Sequence, residues 1–108
     1  MADTTDTPVL DLLADMTAGS IRASTLEPET LILVRIAALV AVDAPVGAYV
    51  FNLGAAADLD IDVQELRGVL AGVAPIVGTT RIVSALGKIA RALDLDLDQV
   101  ELEHEAAG

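Results

Sequence analysis

Leu31-Ile-Leu-Val-Arg-Ile-Ala-Ala-Leu-Val-Ala-Val42 is the longest apolar run of the chain, and one charge, Arg35, interrupts it. Coiled as a helix, the run is apolar nearly all round, and such a helix belongs at the centre of a packed body. Pro28 can open this helix, with Glu27 and Glu29 at its positive end. A membrane-spanning helix needs about 20 predominantly apolar residues, so the run is too short to cross a bilayer.

The flanking segments repeat the same pattern. Thr7-Pro8 reads as a cap followed by proline at the first helical position. Val9, Leu10, Leu12, Leu13 and Met16 then give a short amphipathic helix that Gly19 can end, and residues 24–27 form a connector. Asp43-Ala44-Pro45 repeats the cap-then-proline signal before Val46, Tyr49, Val50 and Leu53. Asp62 and Glu65 have the spacing of a capping box ahead of Val63, Leu66, Val69, Leu70 and Val73. Pro75 and Gly78 break that pattern, and Thr79 or Thr80 can cap a fifth helix with the stripe Ile82, Val83, Leu86, Ile89, Ala90, Leu93. Asp94-Leu-Asp-Leu-Asp98 reads as a connector to a final short helix.

Val and Ile are plentiful and favour strands. Apolar positions nevertheless recur at three and four rather than two, alanine is abundant, and no Asn-Gly hairpin signal occurs. The expected class is all-α, with about six helices in a single domain over residues 1–108. Within it, residues 1–24 hold the first helix and connector, 25–95 the core and 96–108 an acidic end. Gly68 and Gly72, four apart on one helix face, are expected to let another backbone approach closely.

Composition narrows the chemistry. The 108 residues include no Cys, no Trp, one Tyr, one Phe and one His, with a formal net charge of -11. Disulfides, thiolate metal sites and thiol nucleophiles are therefore excluded. Six basic residues against 17 acidic ones disfavour nucleic acid and anionic membranes as partners. Residues 1–6 hold no basic residue, so they do not read as a signal peptide, and a cytoplasmic protein is expected. The chain is 54% hydrophobic with a mean hydropathy of +0.60, high for an 11.1 kDa monomer, so much apolar surface is expected to lie between subunits.

Three stretches share a family likeness. Glu29 to Asp43, Ala48-Tyr-Val-Phe-Asn-Leu-Gly-Ala-Ala-Ala57, and Asp62 to Gly78 follow one another in the order of known helices. The third resembles the stretch "EEIREVLLQLAPYAGFPRA", and Thr80 to Arg91 resembles the following "RALNALRVAKE" helix. The most specific element is Ala74-Pro-Ile-Val-Gly-Thr-Thr-Arg81. On these residues the chain resembles the carboxymuconolactone decarboxylase family, which includes the AhpD-like alkylhydroperoxidases. The resemblance spans about residues 25–95. It implies an all-helical fold that assembles as trimers or hexamers, and either decarboxylation of a carboxylated lactone or thiol-dependent peroxide reduction.

The resemblance can be tested residue by residue. The Cys-x-x-Cys pair of the peroxidase branch falls near Pro45 and Ala48, and its acidic residue near Ile32 or Leu33. Without a thiol, that mechanism is chemically excluded. The histidine of the decarboxylase branch falls at Asn52, which cannot shuttle a proton near neutral pH. Catalytic residues are thus unassigned. Arg35, Tyr49 and Asn52 remain as candidate ligand-binding residues. Arg35 either anchors a small carboxylated ligand through its bidentate guanidinium or pairs with an acid such as Glu29 or Asp43, within the chain or across a subunit interface. Tyr49 and Asn52, three apart, either share the ligand face or anchor a core or interface. Arg81 is expected to pair locally or cap an interface.

Asp58, Asp60 and Asp62, and again Asp94, Asp96 and Asp98, alternate with Leu and Ile. Neither run carries the glycine of a calcium loop, so no metal or cofactor is expected. They read as solvated acids with inward apolar residues and helix caps. His104, among Glu101, Glu103 and Glu105, reads as a solvated tail residue. Three function classes stand: a non-redox structural or ligand-binding oligomer, a lyase on a lactone-like carboxylate held by Arg35, and a protein–protein module using the acidic end.

Overall fold

A computed structural model describes the backbone of residues 7–107 and the side chains of residues 7–94. It contains five helices: α1 (Pro8–Ala23), α2 (Pro28–Val42), α3 (Val46–Asp58), α4 (Val63–Val77) and α5 (Thr79–Ala107). The class is all-α, and no strand occurs among the described residues.

The run Leu31–Val42 lies in α2, which packs against α3, α4 and α5, while α3 packs most broadly on α5. Ile32, Ile36 and Val40, spaced four apart, are the buried stripe of α2. They meet Tyr49, Leu53 and Ala56 of α3, Leu66 and Leu70 of α4, and Ala85 and Ala92 of α5 in one core. Small residues at 56, 85 and 92 leave room for the larger side chains of α2 and for Tyr49. α1 stands outside this packing, and none of its residues is buried.

The helix ends explain the aspartates. Asp43 and Asp60 both adopt left-handed backbone, with φ of 54° and 59°. Each ends a helix by turning the next amide back onto it: Ala44 N donates to Leu39 O at 3.0 Å, and Ile61 N to Ala56 O at 2.9 Å. Ala44 and Ile61 then fall into the core. Aspartate tolerates this conformation better than most residues, and the residue after it supplies the apolar contact. Asp43 therefore closes α2, where a cap opening α3 was expected. Asp58, Asp60 and Asp62 are all exposed around Ile61.

Asp62 opens α4, its Oδ1 accepting from Glu65 N at 2.9 Å. Asp62→Ala should lower stability by about 0.5–2 kcal/mol in thermal unfolding, and Asp62→Asn, which keeps the acceptor, should restore most of it. An unchanged midpoint for Asp62→Ala would show that water caps α4 equally well.

Several expectations differ from the structure. Gly19 does not end α1, which runs on to Ala23, because one interior glycine costs only about 1 kcal/mol relative to alanine. Pro75 lies inside α4 near its end, and the break comes at Gly78, whose carbonyl accepts from Ile82 N at 3.2 Å. Gly78 thus holds the capping position expected of Thr79 or Thr80. The separate sixth helix is absent: α5 continues through residues 94–98, where no glycine or proline stops it. Gly68 and Gly72 are exposed, with open space where a Cβ would stand, and among the described residues no backbone packs closely against them. The stripe of α5 is also rotated from expectation. Ala85 and Ala92 are buried with Ile82 and Ile89 beside them, and Val83, Leu86 and Leu93 are exposed.

The radius of gyration is 16.0 Å, against about 13 Å for a compact chain of this length. The outlying α1 and the 29-residue α5, about 43 Å long, extend the molecule.

Candidate functional site

The α1–α2 elbow creates the first cleft. Ser24 Oγ accepts from Leu26 N at 3.1 Å, fixing a turn that sends α2 back beside α1. Pro28 then restarts the helix. Between the two helices lies a cleft of about 240 Å³, lined by Ile21, Leu26, Pro28, Leu31, Ile32 and Arg35. Five of these six side chains are apolar, and Arg35 supplies the only charge.

Arg35 donates from Nη2 to Ser20 Oγ at 3.0 Å. Among the described residues no carboxylate pairs with it. Within the chain Arg35 pairs with neither Glu29 nor Asp43, and Asp43 is engaged with Lys88 at the end of α2. Single-point bonding to a neutral hydroxyl leaves most of the five guanidinium donors of Arg35 available.

Tyr49 and Asn52 do not join Arg35. Tyr49 is fully buried in the core, and its hydroxyl has no hydrogen-bond partner among the described residues. Burial, and secondarily the charge of Asp43, push its phenol above the ordinary range. Asn52 donates from Nδ2 to Ala48 O at 2.9 Å, one turn back on its own helix. Neither lines the Arg35 cleft. Their three-residue spacing did place them on one side of α3, but that side faces the core.

A second cleft, about 800 Å³, separates α1 from α3. Leu10, Leu13, Thr17 and Ile21 of α1 form one wall, and Gly47, Ala48 and Phe51 of α3 the other. No charged residue lines it. Ile21 borders both clefts.

Sequence reading missed a polar cluster at the end of α2. Asp43 Oδ1 accepts from Lys88 Nζ at 2.9 Å and from Ser84 Oγ at 2.7 Å. The hydrogen bonds from Lys88 and then Ser84 hold the Asp43 carboxyl below its ordinary range, against a smaller desolvation effect. Arg81 Nη1 donates to Ala41 O at 2.9 Å, so this cation caps the C-terminal carbonyls of α2 rather than pairing nearby in sequence. The four-residue spacing of Ser84 and Lys88 was the available signal. The Lys88–Asp43 ion pair and the bonds from Ser84 and Arg81 tie α5 to the α2–α3 corner.

No group of three or more metal-ligating side chains occurs among the described residues, and none of the helices searched is long and apolar enough to cross a membrane. The side chains of Asp96, Asp98, Glu101, Glu103, His104 and Glu105 lie outside the described residues. Comparison of the chain with protein-family models, with curated proteins and with solved structures returned no match.

Proposed function

We propose that this chain is a carboxymuconolactone decarboxylase-like protein that self-assembles, as a trimer or hexamer, in the cytoplasm and binds a small carboxylated compound at Arg35 without redox chemistry. One observation carries the ligand reading: Arg35 borders an apolar cleft and has no carboxylate partner among the described residues. A guanidinium beside an apolar slot suits a ligand with a carboxylate at one end and a small hydrocarbon body. The lyase reading needs a group that moves a proton near neutral pH in the same cleft. The lining holds no histidine, carboxylate, lysine or tyrosine. That favours binding over turnover. Self-assembly is supported by fifteen exposed large hydrophobic side chains among the described residues, more than scattered surface exposure would leave on one small domain.

Titration with hexanoate and benzoate, followed by amide chemical shifts, tests the site. Saturable binding should perturb residues 20–35, and the matching alcohols should bind far more weakly. Arg35→Ala should weaken binding about tenfold to a hundredfold, the loss expected for a charge-assisted hydrogen bond. Equal affinity in Arg35→Ala, or no saturable binding of either carboxylate, would remove the proposal.

A further inference from the structure

Among the described residues, no other helix packs broadly on the apolar helix α1. The six large apolar side chains of α1, Val9, Leu10, Leu12, Leu13, Met16 and Ile21, are each 49–67% exposed, and Phe51 across the second cleft is 69% exposed. Only Asp11, Asp15 and Arg22 are charged in α1, and the 3.6-residue period puts all three along one narrow edge. The rest of the helix surface is apolar or small. An isolated 16-residue helix is marginal in water, so α1 needs a covering surface to be stable.

We propose that the cleft between α1 and α3 is filled by α1 of a second copy, running antiparallel, in a two-fold contact of α1 and α3 with their counterparts. Resting on the self-assembly proposed above, it assigns the surface and symmetry.

Area and charge identify the occupant. The seven exposed side chains offer on the order of 100 Å² each, about 700 Å² per copy, close to the roughly 800 Å² per partner of a standard interface. The cleft carries no charge that burial would strand, and the acidity of the chain lies elsewhere. Antiparallel alignment about Met16 and Thr17 sets Asp11 of each copy opposite Arg22 of the other. Parallel alignment would set Asp11 and Asp15 against themselves. A two-fold axis satisfies both copies at once, because each donates its helix and offers its cleft. Such a contact gives a dimer, or links trimers into a hexamer, so the subunit number is even.

The cysteine-free chain makes the test direct. Light scattering of the full chain at micromolar concentration should give an even number of subunits. Thr17→Cys, near the axis, should oxidise to a disulfide-linked pair at least tenfold faster than Ile76→Cys on the exposed face of α4. Leu13→Asp with Phe51→Asp should weaken association about thirtyfold or more, the loss of a strong interface contact. Since neither side chain is in the core, thermal unfolding monitored at Tyr49 should remain cooperative. Asp11→Arg and Arg22→Asp should each weaken the pair, and the double variant should recover it. An odd-numbered assembly, or cross-linking through Ile76→Cys alone, would overturn this contact and leave self-assembly standing. A monomer would overturn both.

Discussion

Tyr49→Ala should destabilise the chain by about 3–5 kcal/mol, the range for emptying a large aromatic site in a core. A domain of 108 residues has about 5–15 kcal/mol in total, so this one change consumes a large part of it. Tyr49 is the largest fully buried side chain, at the junction of α2, α3 and the α2–α3 corner. The core it shares includes Ala56, Ala85 and Ala92, side chains too small to fill the space it would leave. Tyr49→Phe separates shape from hydroxyl. The hydroxyl is buried without a partner, and such a group costs about 1–3 kcal/mol. Removing it should therefore leave stability equal or higher. Denaturant unfolding of the three proteins decides the matter: a loss above about 1 kcal/mol in Tyr49→Phe would mean that the hydroxyl is bonded after all, through water.

Gly78→Ala should lower stability by about 1–3 kcal/mol, although no atom stands in its way. Gly78 has φ of 88° and ψ of 164°, a region that side chains enter only under strain. An added Cβ would meet nothing within 4 Å, so the loss is entirely in the backbone. The residue is the sole break between α4 and α5, and an alanine there favours one unbroken helix. Straightening that corner would pull α4 or α5 from α2. The expected readout is a lower unfolding midpoint with unchanged or increased helix content by circular dichroism. A midpoint equal to that of the parent chain would show that the corner relaxes into an ordinary turn at no cost.

Periodicity and proline placement made the helices legible. Pro8, Pro28 and Pro45 stand at or beside helix starts, and Asp62 caps α4 as its spacing with Glu65 implied. What sequence could not weigh was competition between weak local signals and long-range packing. Gly19 and Pro75 look like breaks but sit where a helix tolerates them, one on a helix outside the core, the other within a turn of an end. The rotation of α5 had the same origin. Its large side chains suggested one face, yet close packing against α2 and α3 selected Ala85 and Ala92. Arg35 was legible as a site residue because a cation inside an apolar run is rare enough to demand an explanation. Its association with Tyr49 and Asn52 was not, since their family-like positions carry no information on which way α3 turns. The Asp43–Ser84–Lys88 cluster escaped notice because Asp43 lies more than forty residues from Ser84 and Lys88 and each is ordinary alone.

The two aromatic residues divide the molecule for spectroscopy. Tyr49 lies at its centre and Phe51, two residues on, points out of it, and the chain has no tryptophan. Tyrosine emission is therefore a single-site report on core packing. Near-ultraviolet phenylalanine bands report separately on whatever covers the outer face of α3. Loss of the second signal before the first, on dilution, would distinguish parting of the subunits from unfolding without a label.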